Sequence, residues 1–367
     1  MRGYIVRPFR IALTGDFLGP DGKSAYGDIG MSLLDAAPQV RYRFLTEQAP
    51  RPGELEYYQR FYSLEVTAEH IADVDGLVVL RPWVKRHVFS RGAGDLVVIG
   101  RSGAGYDKVD VAACTENDVA LFNTPMALNH ATASTALLFM LALAKRLPQH
   151  ERIARLGRWD LQTAEHGHEI EGRTLGIVGL GHSGRELVRL VASFRMRVLA
   201  YSPHADPAQA AALGVRLTTL EELCHEADFV SVHSHLTPEK HRMIRAEHLR
   251  LMKPTAYFVN VARGELVDQA ALVEVLREKR IAGAALDVFE HEPLPADDPL
   301  TKLDKVILTP HWNCSTTDVW RATGQAMAQG MLRASRGEIP DNVINKEVLE
   351  RRGFREKLKR FEENRSM

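Results

Sequence analysis

The sequence predicts an α/β protein that contains two doubly wound parallel sheets. Short apolar runs alternate with helical patterns along most of the chain, and this alternation is typical of βαβ units. Ten such runs are too many for one small sheet, and 367 residues are enough for two domains with a core each. The predicted buried strands are Ile11–Thr14, Gly76–Leu80, Leu96–Ile99, Ala120–Phe122, Leu175–Val178, Val198–Tyr201, Phe229–Val232, Ala256–Asn260, Ala284–Leu286 and Val306–Leu308.

The segments between the strands indicate one long helix and two domain boundaries. Asn129–His150 is rich in alanine and leucine, and with Pro125 before it and Pro148 near its end it predicts a single helix. We expect the chain to leave the first domain near Pro125 and to return to it near His311, where the last strand ends. The densely charged stretch Lys346–Met367 predicts a surface helix or a frayed end rather than a functional basic arm.

The composition excludes several classes of function. Hydrophobic residues make up 45% of the chain and charged residues 26%, as in a soluble globular protein. The 47 basic and 47 acidic side chains cancel, whereas a nucleic-acid-binding protein carries a basic excess. The longest purely apolar run, Ala136–Ala144, is shorter than the about 20 residues that a membrane span needs. We therefore expect neither a nucleic-acid nor a membrane partner.

The cysteines and the amino terminus favour a reduced cytoplasm. Cys114, Cys224 and Cys314 lie far apart and form no Cys-x-x-Cys pair, which argues against a disulfide framework and a cysteine zinc site. The first residues have no long apolar core followed by a small-residue cleavage site, so they predict a first strand rather than a signal peptide.

A glycine-rich turn is the clearest local motif. An apolar strand runs into Gly179-x-Gly181-x-x-Gly184, and a helical pattern begins directly after it. In such a motif the first glycine allows the tight turn, the second lets the backbone approach a pyrophosphate, and the third lets helix and strand pack closely. The amino end of the helix adds unpaired N–H groups and a positive dipole end. The motif therefore predicts a bound dinucleotide.

The choice between NAD and NADP is open at this stage. Ser202 stands at the end of the next strand, where an acidic residue would hold the ribose hydroxyls of NAD. Asp206 replaces that acid only if the loop folds back. The missing carboxylate removes a repulsion against the 2′-phosphate of NADP, and His204 adds a partial positive charge beside it. Both features favour NADP. Alternatively, Ser202 hydrogen-bonds the ribose of NAD.

Three further strands end in residues suited to the reduction of a 2-oxo acid. Arg263, Glu292 and His311 each follow a predicted strand, and the carboxyl ends of parallel strands line the ligand crevice. The planar guanidinium of arginine binds a carboxylate in a bidentate manner. Histidine titrates in the range needed to protonate the new alkoxide, and a neighbouring carboxylate stabilises the imidazolium. Each residue alone is more simply explained as structural; the combination favours catalysis.

His233, His235 and His241 allow a second interpretation, a metal site. No acid or cysteine accompanies them at ligand spacing, so hydrogen bonds near the cofactor are the favoured role and no metal is expected.

From Gly76 to Ala322 the chain resembles the D-isomer-specific 2-hydroxyacid dehydrogenases. Arg101-Ser-Gly-Ala-Gly-Tyr-Asp107 followed by Asn123-Thr-Pro125 is similar to the substrate-loop signature of that family, and Pro310-His311 to its histidine signature. The resemblance implies that Arg263 orients the substrate carboxylate and carbonyl, that Glu292 supports the histidine, and that His311 is the acid/base. Glu292 is preferred to Glu290 because the family's acid immediately precedes a proline.

The resemblance also implies binding roles for other residues. The backbone of Ser102, Gly103, Ala104 and Gly105 would receive the substrate carboxylate. The residues implied to contact the cofactor are Gly179, Gly181, His182, Ser183, Gly184, Ser202, Ser234, Val261, Ala262 and Asp287.

The architecture implied by the resemblance is a Rossmann domain inserted into a flavodoxin-like substrate domain, with closure over the substrate. The expected divisions are 1–125 and 312–345 for the substrate domain, 126–311 for the NAD(P)-binding domain, and 346–367 for a charged tail. A homodimer built through the nucleotide-binding domain and a small 2-oxo or 2-hydroxy acid substrate are expected.

Several departures from the family pattern leave the substrate open. Ser134 stands where an acid is frequent, His235 where a proline is usual, and Trp312 where a small residue is common. Trp312 is expected to narrow the substrate pocket. Two alternative functions remain: a cofactor-sensing corepressor-like protein, or a phosphite or formate dehydrogenase of the same fold. Glu292 argues against formate, since a glutamine at that position would indicate it.

Overall fold

The computed structural model describes residues 7–54 and 56–366, which form two compact α/β units. Unit 1 comprises the chain up to Leu128 and from Thr316 onward, and unit 2 comprises Asn129–Ser315. These limits fall within a few residues of the predicted boundaries at 125 and 311. The predicted first strand is seen from Phe9, and residues 1–6 of that segment lie outside the described part of the chain.

The strands and helices are numbered in chain order. The strands are β1 Phe9–Leu13, β2 Val40–Phe44, β3 Gly76–Val79, β4 Val98–Arg101, β5 Ala120–Asn123, β6 Thr174–Val178, β7 Arg197–Tyr201, β8 Val215–Leu217, β9 Phe229–Val232, β10 Tyr257–Asn260, β11 Gly283–Leu286 and β12 Val306–Leu308. The helices are α1 Met31–Asp35, α2 Tyr57–Arg60, α3 Ala68–Ile71, α4 Val111–Glu116, α5 Asn129–Ala144, α6 Leu147–Arg155, α7 His182–Leu190, α8 Pro207–Ala212, α9 Leu220–Glu226, α10 Ala246–Leu251, α11 Gln269–Arg277, α12 Thr317–Ala334 and α13 Arg352–Lys359.

Both sheets are parallel and doubly wound, which confirms the predicted fold class. Unit 1 has the strand order β2-β1-β3-β4-β5 of flavodoxin-like domains, and unit 2 has the order β12-β11-β10-β9-β6-β7-β8 of a Rossmann domain. Successive side chains face opposite layers: in β10, Tyr257 and Val259 pack with α5 while Phe258 packs with α9, α10 and α11. Each sheet is therefore buried on both faces.

Two strands escaped the sequence prediction because both are edge strands. β2 alternates apolar residues with exposed arginines, and β8 has only three residues. An edge strand is covered less completely than a central one, so it need not be a continuous apolar run.

The predicted single helix Asn129–His150 is wrong, since the structure divides it into α5 and α6. α5 ends at Ala144, and Arg146 adopts a left-handed conformation with φ 54° before α6 begins. A continuous helix would drive the ring of Pro148 into the carbonyl group of Ala144. That carbonyl instead accepts a hydrogen bond from the backbone N–H of His168.

One segment of the described chain, Pro125–Ala144, is long and apolar enough to cross a membrane by length and composition alone. The core helix of a globular domain passes the same test. Here Ala133, Ala136 and Met140 are fully buried in the core of unit 2, so packing against its sheet accounts for the apolar composition.

The predicted separate tail, 346–367, is corrected by the structure. Its described residues belong to unit 1, where Phe354 and Phe361 are buried in the core. Burial lowers the pKa of Lys357 to about 8, and its Nζ donates hydrogen bonds to the carbonyl oxygens of Leu96 and Asn117. This densely charged stretch therefore contains an amphipathic helix whose apolar side chains pack into the core of unit 1.

Candidate active site

Three loops at the carboxyl edge of the unit 2 sheet carry Arg263, Glu292 and His311, which follow β10, β11 and β12. His311 Nδ1 and Glu292 Oε2 lie 2.7 Å apart, within hydrogen-bond distance. Glu290, two residues before Glu292, forms an ion pair with Arg242 instead. Of the two acids in this loop, the structure therefore brings Glu292 to the histidine.

Asp287 anchors the loop that carries His311. Its Oδ1 accepts hydrogen bonds from the Thr309 hydroxyl at 2.6 Å and from the backbone N–H groups of Trp312 and Asn313 at 3.1 and 3.2 Å. His311 adopts a φ of 53°, and its N–H donates to the Thr309 carbonyl. These contacts hold the loop on both sides of the imidazole, so Asp287 positions His311 in addition to the cofactor role implied by the resemblance.

The arginine loop is held by Asn260 at the end of β10. The Asn260 side chain donates to the carbonyl of Arg263 and accepts from the N–H of Ala262. A Cβ atom at Gly264 would lie 1.9 Å from the carbonyl carbon of Phe289, so only glycine lets this loop meet the loop of Glu292. The glycine that follows Arg263 is therefore required for the close packing of the loops after β10 and β11.

The electrostatics of the site favour an ionised Glu292. Burial opposes its ionisation, but the hydrogen bond and charge of His311, the Phe289 N–H and the charge of Arg263 together hold the pKa of Glu292 below its usual value. Burial raises the pKa of Asp287, against the opposing effect of its hydrogen-bond donors and of His311. Glu292 is therefore an anion beside the imidazole, as support of an imidazolium requires.

The glycine-rich turn has the shape of a phosphate cradle. Gly179 has a φ of 101°, and a Cβ there would lie 2.7 Å from the backbone nitrogen of Ser234. A Cβ at Gly184 would lie 2.4 Å from the carbonyl oxygen of Gly179, whereas one at Gly181 would meet nothing within 4 Å. Gly181 and the exposed His182 thus leave the amino end of α7 open, and this arrangement fits a dinucleotide pyrophosphate.

A buried histidine supports this turn from inside unit 2. His233 lies between the hydroxyl groups of Ser183 and Ser231, with its ring nitrogens 3.1 and 3.0 Å from them. His233 therefore fixes the Ser183 side chain at the start of α7. Burial lowers the pKa of His233 to about 4, so the imidazole is neutral at ordinary pH.

His233 is expected to make the protein less stable in acid. Between pH 6.5 and about 4 the unfolded chain binds a proton at this position and the folded chain does not, so stability falls as the pH falls through this window. The loss from this one group amounts to as much as about 3 kcal/mol. Denaturant unfolding across this window is expected to show a shallower pH dependence in His233→Asn. The exposed control His225→Asn should follow the unsubstituted protein, and equal slopes in all three would contradict the assignment.

The end of β7 borders a cleft of about 590 Å³, lined by Ser202, Thr218, Glu239 and Arg245 among others. Asp206 does not fold back toward it, because its carboxylate caps α8 by accepting from the Ala208 N–H at 2.9 Å. Asp206 therefore does not replace the missing ribose-binding carboxylate at the position of Ser202.

The remaining residues implied to contact the cofactor lie at the same sheet edge. The Ser234 hydroxyl follows β9 and accepts from Lys240 Nζ at 3.1 Å, while Val261 and Ala262 follow β10. Among the described residues no group of three or more His, Cys, Asp and Glu side chains is arranged to hold a metal ion.

The loop Ser102–Gly105 follows β4 in unit 1. The N–H of Ser102 donates to the Val79 carbonyl, and the N–H of Gly103 donates to the Thr124 hydroxyl at 2.9 Å. None of the described residues accepts from the amides of Ala104 and Gly105. The loop thus presents two amides rather than four to a ligand, because the other two maintain its own conformation.

The hydrogen-bonding role that the sequence favoured for His233 is confirmed by its contacts with Ser183 and Ser231. Sequence reasoning missed the positioning roles of Asn260 and Thr309. A polar residue at the end of an otherwise apolar strand was the available signal for Asn260. Thr309 had no comparable signal, because its partner Asp287 lies on another strand.

Comparison with known proteins places this site in a family. Residues 137–313 match the model described as D-isomer specific 2-hydroxyacid dehydrogenase, NAD binding domain. The glyoxylate reductase of Korarchaeum cryptofilum is 38% identical over 322 residues, which cover 83% of this chain and 96% of that protein. The chain belongs to the D-isomer-specific 2-hydroxyacid dehydrogenases.

Two further similarities agree with this membership. D-3-phosphoglycerate dehydrogenase of Methanocaldococcus jannaschii is 41% identical over 283 residues, or 77% of this chain and 53% of that protein. An NADPH-dependent glyoxylate/hydroxypyruvate reductase from Sinorhizobium meliloti, solved with NADP and malonate, has a TM-score of 0.75 at 27% identity and covers 92% of this chain and 97% of its own.

This dehydrogenase is therefore an NAD(P)-dependent oxidoreductase that transfers a hydride between the cofactor and a small 2-oxo or 2-hydroxy acid. The predictions of family, fold class, enzyme class and cofactor type are confirmed. The comparisons do not favour the corepressor-like or the phosphite and formate alternatives.

Proposed function

We propose that the protein reduces short 2-oxo acids of the glyoxylate and hydroxypyruvate type to their D-2-hydroxy acids. The observation that carries the proposal is the hydrogen-bonded pair of Glu292 and His311 at the sheet edge that also carries Arg263 and the glycine cradle. The relatives named glyoxylate reductase support the substrate type. The cytoplasmic location predicted from the cysteines is part of this proposal.

The proposed division of labour follows from the chemistry of each side chain. Arg263 binds the substrate carboxylate and polarises the carbonyl. The bound cofactor supplies the hydride that adds to the carbonyl carbon. His311 gives a proton to the carbonyl oxygen, whose π bond breaks as the new C–H bond forms. Since Glu292 holds Nδ1, Nε2 is the nitrogen that transfers the proton.

The first test is an absorbance assay that follows oxidation of the reduced nicotinamide. NADH and NADPH are supplied separately with glyoxylate, hydroxypyruvate, pyruvate and a bulkier 2-oxo acid. Turnover of the short acids supports the proposal, and the preferred cofactor answers the question raised by Ser202. Turnover of the bulky acid alone, or of none, contradicts it.

Glu292→Gln is expected to lower kcat by roughly a hundredfold, because the amide cannot supply the negative charge that stabilises the imidazolium. Glu290→Gln is the matched control in the same loop: it breaks an ion pair with Arg242 and leaves the histidine contact in place. Steady-state kinetics of both variants measure the difference. Equal kcat values for the two would remove Glu292 from the mechanism.

A homodimer is also proposed, formed through an exposed apolar surface of unit 2. Leu138 on α5, Leu147 on α6, and Leu156 and Trp159 just after it are each at least 50% exposed. These four side chains lie on consecutive elements of the chain, and exposed apolar surface of this kind is typical of protein interfaces. Trp159→Asp is expected to convert a dimer into monomers in analytical ultracentrifugation, whereas Leu251→Asp on α10 should not. A monomeric unsubstituted protein would refute the proposal.

A further inference from the structure

A cavity of about 80 Å³ lies at the amino edge of the unit 2 sheet, beside the break between α5 and α6. The polar residues that line this amino-edge cavity are Arg146, Gln149, Tyr257, Asp304 and Lys305. No role in the candidate active site is assigned to any of them.

The sheet separates the amino-edge cavity from the candidate active site. Tyr257 begins β10 and Lys305 immediately precedes β12, whereas Arg263 and His311 follow the same two strands at the carboxyl edge. Each strand residue advances about 3.3 Å, so the ends of a strand as long as β10 lie about 10 Å apart. A ligand small enough for this cavity therefore cannot contact Arg263 or His311.

A largely buried hydroxyl group lines the cavity. Tyr257 is only 8% exposed, and its hydroxyl forms no hydrogen bond with any of the described residues. Its ring is fixed by stacking on Phe229, with 5.4 Å between the ring centroids and an interplanar angle of 21°. Since a buried tyrosine hydroxyl normally has a hydrogen-bond partner, the contents of the cavity are the available partner.

The charged side chains around the cavity favour an anion. Arg146 and Lys305 line it, and Asp304 is the one acid among its lining residues. The Asp304 side chain is 79% exposed and forms an ion pair with Arg152 at 3.3 Å, while Arg146 forms an ion pair with Glu165. Within the described part of the chain Lys305 has no ion-pair partner, so its positive charge is available to a ligand.

The amino end of α6 adds to the positive potential. Arg146 is the N-cap residue of this helix and makes no side-chain capping hydrogen bond, and Pro148 and Gln149 of the first turn line the cavity. The amino end of a helix carries a positive partial charge and unpaired N–H groups. Burial raises the pKa of Tyr257, and the charges of Arg146 and Arg173 oppose this effect. A negatively charged acceptor is therefore the best partner for the Tyr257 hydroxyl.

We propose that the amino-edge cavity binds a small oxyanion, which Lys305 and Arg146 attract and to which the Tyr257 hydroxyl donates a hydrogen bond. A volume of about 80 Å³ has room for a few water-sized groups, so inorganic phosphate or a short carboxylate fits and a nucleotide does not. The site goes beyond the proposed function, because it takes no part in hydride transfer. A bound anion stabilises unit 2, since the unfolded chain has no such site.

The test is thermal unfolding of the full chain in increasing inorganic phosphate, with chloride at matched ionic strength as the reference. Phosphate is expected to raise Tm above its value in chloride, and the concentration dependence gives an apparent Kd. Lys305→Met and Tyr257→Phe should each weaken that Kd by at least about tenfold, the contribution of one charge-assisted hydrogen bond. Lys302→Met, at an exposed lysine in the segment before β12, is the matched control and should keep the Kd.

Arg263→Ala distinguishes this cavity from the candidate active site, which also binds anions. The rise in Tm should persist in this variant. A parallel titration with acetate identifies the ligand: a response to phosphate, to acetate or to both supports the site. A rise that is lost in Arg263→Ala, a rise that is equal in Lys305→Met, Tyr257→Phe and the unsubstituted protein, or no rise with either anion overturns the inference. The absorbance assay tests hydride transfer separately, so none of these results affects the proposed function.

Discussion

Replacing His311 with alanine is expected to lower kcat by roughly a thousandfold, since the variant has no group to protonate the new alkoxide as the hydride arrives. Affinity for the cofactor should change little, because the glycine cradle lies after β6 and the histidine loop after β12. Single-turnover kinetics would measure the chemical step, and fluorescence titration with NADH or NADPH would measure binding.

A control for this experiment is available in a neighbouring loop. His291 is exposed and adjoins Glu292, so His291→Ala removes an imidazole near the site without touching the Glu292–His311 pair. Its kcat should stay close to that of the unsubstituted protein. A His311→Ala variant that retains full turnover would reject the acid/base assignment, and with it the proposed proton transfer.

Arg263→Ala is expected to lower kcat/KM by roughly a thousandfold, as for the loss of a preorganised donor at a developing oxyanion. The variant loses both the carboxylate contact and the polarisation of the carbonyl. Arg263→Lys should recover only part of the loss, because an ammonium keeps the charge and loses the bidentate geometry. These effects appear in steady-state kinetics with a short 2-oxo acid.

The control here is Arg277→Ala, which removes an exposed arginine at the end of α11. It should leave kcat/KM unchanged. If Arg263→Lys were fully active, a simple positive charge would suffice and bidentate binding would be excluded.

Local patterns were sufficient to predict most of the fold. The buried strands of both sheets are apolar because helices cover both faces, so their sequences are visible without knowledge of partners. The glycines of the cradle were equally predictable, since the need for a positive φ at Gly179 or for close packing at Gly184 is a property of the residue itself. The edge strands β2 and β8 were missed because partly exposed strands have a weaker apolar pattern. The break at Arg146 was misplaced because a reversal of the chain also leaves only a weak pattern.

The sequence was sufficient to identify the residues of the candidate site, but not the residues with which they form hydrogen bonds. His311 and Glu292 are separated along the chain, and only the folded sheet brings Nδ1 within 2.7 Å of Oε2. The same holds for Asp287, which accepts hydrogen bonds from the loop that carries His311. By itself the sequence determined the fold class, the dinucleotide turn and the set of catalytic candidates, because these depend on local periodicity and residue chemistry. The tertiary structure alone decided which acid reaches the histidine, which amides of the substrate loop are left for a ligand, and which charges are buried together, because these depend on contacts between strand ends distant in the chain.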